Sequence, residues 1–496
     1  MLFQSTRGSY RKLTSAEVIT QGLAEDGGLF VPEGFPDLSM NDLLNIVSKP
    51  YCERAAFVMS LFLSDFSFDE IISFTREAYS TPGFDDPAIA PLYRLEKNTH
   101  LLELWHGPTS AFKDMALQML PRLLKASVCK TNEKRDVCVL VATSGDTGKA
   151  ALEGFRDVSG TKIMVFYPEE GVSDVQKFQM TSQDGSNVNV VAVKGNFDDT
   201  QTGVKAIFSD MFTRSELDKR NWLLSSANSI NWGRLVPQIA YYVSAYCDLV
   251  ANGEINLGDK INFCVPTGNF GNILAAYYAE RMGLPIGCLI CASNRNDVLA
   301  QFIKTGVYDK NRPFYTTSSP SMDILVSSNL ERLLFELSGR DGACVAGYMS
   351  ALSNEGVYNI SDKALSELSR VFAGGMCSEE DTKRTISETF YNHNYLLDTH
   401  TAVAVKVLKD FRAETNDNTL SVVVSTASPF KFCDSVLEAL GYSASDGCFE
   451  LVDKLAEVTR CKIPGPLVEL RDKALRFPDS VNIEGMKGAV FEFLGR

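Results

Sequence analysis

The chain has 496 residues, 45% of them hydrophobic and 22% charged, with a net charge of −14. That length exceeds one ordinary core, and the composition is that of a folded globular protein rather than a disordered one. The acidic balance excludes a sequence-independent nucleic-acid binder, which needs clustered Lys and Arg, but leaves room for a locally positive pocket.

No apolar run reaches membrane-spanning length, and residues 1–12 hold no apolar core of a secretory signal, so no membrane partner is expected. The twelve cysteines are scattered, mostly in apolar segments, which reads as reduced thiols in a cytoplasmic protein. Cys288 and Cys291 form the one CxxC, but they fall inside a strand-like run with no second pair at zinc spacing.

Residues 1 to about 97 read as a mostly helical unit. Ser15-Ala16-Glu17-Val18 opens a helix carrying Val18, Ile19 and Leu23, stopped at Asp26-Gly27-Gly28. Leu29-Phe30-Val31-Pro32 is a short extended piece, and residues 43–47 and 71–78 show helical spacing. Thr81-Pro82-Gly83, with Pro87 and Pro91, marks a loop and a boundary. Next comes His106-Gly107-Pro108-Thr109-Ser110-Ala111-Phe112-Lys113-Asp114, a turn leading into the apolar Met115, Leu117, Met119 and Leu120. Lys113 at the mouth of that segment has two readings. It is a lysine snorkelling from a helix start, or an amine whose lost hydration lowers its pKa and makes it a Schiff-base nucleophile.

From residue 101 the texture alternates. Residues 137–142, 162–167, 188–193, 261–265 and 286–292 are apolar runs of strand length, as parallel sheets buried on both faces require. Helical stretches at 150–155, 200–211 and 235–249 separate them, predicting βαβ units in an open α/β sheet. Residues from about 330 to 395 break the rhythm and read as a helical insertion; residues 420–424 return as a buried strand.

Ligands of open α/β sheets bind beyond the carboxyl ends of the strands, at helix starts. Residues 137–142 end in Thr143-Ser144-Gly145-Asp146-Thr147-Gly148, a site for an anionic group or a capped turn. Residues 261–265 end in Pro266-Thr267-Gly268-Asn269-Phe270-Gly271-Asn272, whose amides would converge on a second anion. Asn228-Ser229-Ile230-Asn231-Trp232-Gly233-Arg234 offers neutral donors and a guanidinium fork, or else a capped helix with a solvated arginine. Ser425-Thr426-Ala427 closes the last strand with hydroxyls able to bond a neutral ring nitrogen. Two anion loops in one sheet call for a phosphorylated cofactor, a phosphorylated substrate, or both. The four histidines show no metal spacing, so no metal is expected. No hydrolase elbow and no dinucleotide fingerprint is present.

These motifs, with Gly27-Gly28-Leu29-Phe30-Val31-Pro32, occur in an order that resembles the threonine synthases over nearly the whole chain. The resemblance implies fold type II of the pyridoxal-phosphate enzymes, tryptophan synthase β-like. That fold has two open α/β domains, here residues 98–496, behind the mostly helical N-terminal domain 1–97. It implies the cofactor pyridoxal 5'-phosphate and a lyase reaction in threonine biosynthesis: O-phospho-L-homoserine and water give L-threonine and phosphate. By motif matching, Lys113 would carry the cofactor as a Schiff base and serve as the catalytic base. Gly268, Asn269, Phe270, Gly271 and Asn272 would cradle its phosphate, and Thr426 would face its ring nitrogen. Ser144, Gly145 and Asp146 would meet the substrate carboxylate; Thr147, Asn228, Ser229 and Arg234 would hold the substrate phosphate. A monomer or homodimer is expected. The family pattern varies at Ser110, at Trp232 and in the 330–395 segment. The rivals are a phospholyase releasing 2-oxobutyrate, ammonia and phosphate, and a non-catalytic relative that binds phosphorylated ligands.

Overall fold

Strands that are apolar on both faces need cover on both faces, and the chain supplies it with helices around two open sheets. The computed structural model describes residues 1–9, 11–170 and 172–495. The first sheet runs Phe372–Met376, Ile286–Ser293, Ile261–Pro266, Ser421–Ser425, Thr99–Glu103, Leu92–Glu96. Its neighbours are parallel except the last two strands, which form an antiparallel hairpin. The second sheet runs Ser480–Val481, Val188–Val193, Thr161–Pro168, Asp136–Ala142, Trp222–Ser226, all parallel. Ile261–Pro266 and Ser421–Ser425 are buried at every position. Each fully buried Val, Ile or Phe there contributes about 1.5–3 kcal/mol relative to exposure.

The N-terminal unit is held by local chemistry. Helices Ser15–Gln21, Met40–Ile46 and Phe68–Ala78 each start with a reciprocal capping box, at Thr14/Glu17, Ser39/Asp42 and Ser67/Glu70. The first helix ends earlier than its apolar pattern suggests. Gly22 takes φ 75°, which closes the helix and leaves Leu23 outside it. Phe30–Pro32, the expected extended piece, pairs antiparallel with Phe3–Ser5.

Helix Trp232–Ala251 is the spine. It is buried on nearly every face and packs between Tyr51–Phe62 of the N-terminal unit and Gly271–Met282 of the core. The Trp232 ring meets Phe3, Phe62 and Tyr278. From the other side, buried Arg54 reaches Asp248 at 2.5 Å and the Ser244 hydroxyl at 3.0 Å.

Two expected boundaries shift. Leu92–Glu96 pairs into the first sheet, so the helical unit gives way before residue 97, in the loop after Phe68–Ala78. The 330–395 segment is mostly helical, but Phe372–Met376 lies parallel to Ile286–Ser293 as the edge strand of the first sheet. The pattern Phe-Ala-Gly-Gly-Met hides that strand, because neither glycine has a side chain to alternate. Both glycines allow close packing: a Cβ at Gly374 would lie 2.9 Å from the Ala300 carbonyl, and one at Gly375 2.5 Å from Val407.

Candidate active site

Strand Thr99–Glu103 delivers the lysine turn, and its neighbour Ser421–Ser425 delivers Thr426 beside it. The Phe112 amide donates to the Thr426 carbonyl at 2.8 Å, and the Ser428 amide to the Ser110 carbonyl at 3.1 Å. Asp114 shapes the turn from within: its carboxylate accepts from the Thr109 amide at 2.8 Å and the Thr109 hydroxyl at 2.7 Å. Gly107 is needed there, because a Cβ would sit 2.6 Å from that of Asp114. Burial pushes the Asp114 carboxyl up to about 6.

Lys113 points into the space between the sheets. Its Nζ lies 3.4 Å from Asp146 Oδ2, at the start of a helix belonging to the second sheet, and 3.3 Å from Ser321 Oγ. Burial pushes the Lys113 ammonium below the ordinary lysine range. The Asp146 charge opposes that shift, while the Lys431 and Arg234 charges add to it. The snorkelling reading fails on this geometry, since the amine is turned inward rather than to water.

The loop after Asp136–Ala142 is built on Thr143, whose hydroxyl accepts from the amides of Gly145 at 3.0 Å and Gly148 at 2.9 Å. Gly145 takes φ 135°, and a Cβ there would meet the Gln176 side chain at 2.6 Å. Gln176 Nε2 donates to Asp146 Oδ1 at 2.7 Å. Asp146 is held ionised: burial works against its charge, but Lys431 and Lys113 overcome it and keep its pKa far below the usual carboxylate range. Ser144 and Thr147 are half-buried on the same loop.

The second loop ends in Phe270, a non-glycine residue in the left-handed region at φ 63° that starts helix Gly271–Met282 without a side-chain cap. The first amides of any helix lack intrahelical partners and carry its positive end. Asn272 turns its Oδ1 to the hydroxyls of Tyr241 and Tyr242, the latter at 2.6 Å, and leaves its Nδ2 buried without a partner among the described residues. A Cβ at Gly268 would press to 2.5 Å of the Ser321 carbonyl.

The third loop is a capped helix start, but without the solvated arginine of that reading. Asn231 caps helix Trp232–Ala251 through the Gly233 amide at 2.9 Å, yet Arg234 is not solvated. It is 3% exposed, donates to the Ala227 carbonyl at 2.5 Å and keeps a buried Nε without a partner. Burial lowers its pKa to about 10. Asn228 likewise has a buried Oδ1 with no partner, and Ser229 accepts from Asn329 Nδ2 at 3.0 Å.

The sequence reading missed two contributors. Lys431, fully buried, lies 2.7 Å from Asp146 Oδ1 and donates to the Thr109 carbonyl at 2.9 Å. Residues 317–332 form a further wall. The Ser321 amide donates to His400 Nε2 at 3.2 Å, and Asp398 faces His400 Nδ1 at 3.1 Å. Asp323 fixes the other flank, accepting from Asn294 at 2.8 Å, Asn296 at 2.9 Å and the Thr317 hydroxyl at 2.7 Å. The signal for Lys431 was present: a lysine between two phenylalanines just past a buried strand. Among the described residues, no group of His, Cys, Asp or Glu is arranged to hold a metal ion.

An inward lysine between two α/β sheets and a helix start without a side-chain cap suit a phosphate-bearing cofactor held as a Schiff base, the arrangement of the pyridoxal-phosphate class of enzymes. Residues 81–427 match the model of the family "Pyridoxal-phosphate dependent enzyme", residues 2–79 that of "Threonine synthase N terminus" and residues 401–478 that of "Threonine synthase, C-terminal". Human threonine synthase-like 1 is 42% identical over 436 residues, 86% of this chain but only 58% of the human protein's length. The threonine synthase of Pseudomonas aeruginosa is 40% identical over 477 residues, 95% of this chain and 97% of that one. The crystal structure of a pyridoxal-phosphate-bound threonine synthase from Brucella melitensis superposes with a TM-score of 0.87 at 38% identity, covering 100% of this chain and 98% of that one. The chain belongs to the threonine synthase family of pyridoxal-phosphate dependent enzymes.

Proposed function

We propose that the protein converts O-phospho-L-homoserine and water to L-threonine and phosphate. The observation that carries this reading is the inward Lys113 amine, disfavoured as an ammonium and flanked by Asp146, Lys431 and Arg234.

The residues fit the cofactor. Asn272 Nδ2 is a buried donor without a partner at an uncapped helix start, which suits a phosphate held by Gly268, Asn269, Phe270, Gly271 and Asn272. Thr426, beside Lys113, offers a hydroxyl rather than a carboxylate to the ring nitrogen. Bound there, pyridoxal phosphate supplies the electron sink for bond breaking next to the amino-bearing carbon.

Lys113 holds the cofactor at rest. During turnover its Nζ removes the proton from Cα and then from Cβ of the substrate, which needs the neutral amine that burial favours. The substrate carboxylate is taken by Ser144 and the Asp146 amide, on the turn that Gly145 shapes with its own amide held by Thr143. The Asp146 side chain, itself anionic and engaged by two lysines, is the wrong charge for that contact. Thr147, Asn228, Ser229 and Arg234 hold the substrate phosphate, and the free Arg234 Nε is a charge-assisted donor for its departure from Cγ. Water then adds its hydroxyl at Cβ, the two protons taken by Lys113 return to Cγ and Cα, and the remaining proton of the water leaves with the phosphate.

Chromatography of the products from purified protein and phosphohomoserine tests this. Threonine with phosphate supports the synthase; 2-oxobutyrate as sole product makes the protein a phospholyase. Lys113→Ala is expected to abolish both turnover and the cofactor's absorbance band, and a wild type that develops no such band is a binding relative. No helix among the described residues is long and apolar enough to cross a membrane. Twelve unpaired thiols support a cytoplasmic location, and the acidic surface supports the absence of a nucleic-acid partner. Equilibrium sedimentation decides between monomer and homodimer.

A further inference from the structure

Asp146 is the carboxylate that the Lys113 amine meets, and it is shared. Its Oδ2 lies 3.4 Å from Lys113, while its Oδ1 lies 2.7 Å from Lys431 and 2.7 Å from Gln176 Nε2. Lys431 has no exposed side-chain surface, so its charge is not dispersed into water. In the reading above it makes no contact with substrate or cofactor. We propose that Lys431 is a positioning residue for Lys113: by taking Asp146 as its own counter-ion, it leaves the Lys113 amine free to be neutral and nucleophilic.

The logic is competitive. A buried carboxylate beside a single lysine holds it as an ammonium, because separating the pair leaves an uncompensated charge. A second, closer lysine satisfies the carboxylate and repels the first. Every group facing Lys113 fits this division. Asp146 attracts from the helix Asp146–Phe155, Lys431 repels from the turn Pro429–Lys431, and Arg234 repels from the helix Trp232–Ala251. Ser321 offers a neutral hydroxyl, Phe112 a ring face at 5.1 Å from Nζ, and the adjacent Asp114 is engaged by Thr109. The Lys431 bond to the Thr109 carbonyl fixes its ammonium against the base of the lysine turn.

The inference rests on the reading of Lys113 as the cofactor-bearing amine, but its test reads the amine itself. Full-length, cofactor-free protein is treated with cyanate across a pH series, and carbamoylation of Lys113 is followed by peptide mass spectrometry. In Lys431→Met the midpoint for Lys113 labelling is expected to rise by about one pH unit or more, as loss of a nearby like charge requires. Lys431→Arg, which keeps the charge, stays near wild type, and Lys431→Met with Asp146→Asn returns the midpoint to the wild-type value or below. An unchanged or lowered midpoint in Lys431→Met overturns the proposal, as does a shift of equal size in Lys431→Arg. Should Lys431→Met not fold, Asp146→Asn alone carries the test: its midpoint falls if Lys113 feels the shared carboxylate, and an unchanged midpoint overturns the proposal. Normal labelling shifts in a protein that makes no threonine sink the functional reading and leave this one standing.

Discussion

A histidine between two carboxylates is the second perturbed base on the lysine turn. His106 Nδ1 lies 2.6 Å from Asp85 and Nε2 2.9 Å from Glu103, and its ring stacks on Trp105. Burial opposes its charge, but the two carboxylates raise its pKa from 6.5 to about 9. A base whose pKa is raised by folding stabilises the folded state fully below its unfolded value, and that contribution disappears as pH rises through the folded value. His106→Gln is therefore expected to lose stability against wild type at pH 6, with the difference shrinking steadily between pH 6.5 and about 9. Urea midpoints at four pH values measure it, and a difference that is flat with pH would mean the ring matters only for packing. Gly268 makes a second prediction at this scale. Gly268→Ala drives its Cβ against the Ser321 carbonyl, a backbone atom that cannot rotate away. Overpacking of that kind costs about 1–3 kcal/mol, and cofactor affinity measured by absorbance titration is expected to fall roughly ten- to a hundredfold.

Strand-end loops and their helices were legible because each carries its chemistry in adjacent letters. Residues 143–148 and 266–272 each follow a buried strand with a glycine turn and a helix start within one window, so the local structure reads directly from the letters. The wall at 317–332 has no such window. Ser321 gains its place from His400, Asp323 from Asn294 and Asn296, and Asn329 from Ser229 and the Asn269 carbonyl. Those partners lie far away in the chain, and spacing cannot reveal them. The helical insertion expected from about residue 330 opens on two charged residues, Glu331 and Arg332. Both are buried: Arg332 donates to the Phe30 carbonyl at 2.9 Å, the Ile230 carbonyl at 2.6 Å and Asn329 Oδ1, and Glu331 accepts from Thr6 at 2.5 Å and Arg7 at 3.0 Å. Arg332→Met strands three acceptors, of which the Phe30 carbonyl and Asn329 Oδ1 are buried and the Ile230 carbonyl is half-buried. At about 1–3 kcal/mol for each unsatisfied buried group, the loss is roughly 3 kcal/mol or more. Thermal melts should show it, and an unshifted melting point would mean that solvent reaches those carbonyls.

At the scale of the molecule, the N-terminal unit and the catalytic core share one hydrophobic cluster rather than meeting at a polar seam. The sequence has a boundary loop from Thr81-Pro82-Gly83 to Pro91 and a change of texture from residue 101, which together suggest a separate N-terminal domain. Texture reports local periodicity, however, and not which faces are covered. Helix Trp232–Ala251 has apolar residues all round, a pattern that needs partners on every side. The N-terminal unit supplies those on one side through Phe3, Val18, Ile19, Val58 and Phe62, none of them exposed. It also supplies Arg54, the buried partner of Asp248, and the Ile19 carbonyl that accepts from Asn231 at 3.1 Å. Asn231 caps the helix that carries Arg234, so removing the unit disturbs the loop at residues 228–234 as well as the core. A chain starting at residue 80 would uncover Trp232 and the apolar helix face that packs on Tyr51–Phe62, and would leave Asp248 without its cation. Contiguous apolar surface of that kind drives association. Expressed alone, residues 80–496 are expected to aggregate, with no cofactor absorbance in any soluble fraction. Added back as a separate chain, residues 1–79 are expected to restore solubility and the band together. A monodisperse, cofactor-binding 80–496 on size exclusion would show that the spine is stable without its cover and that the two units are separate domains after all.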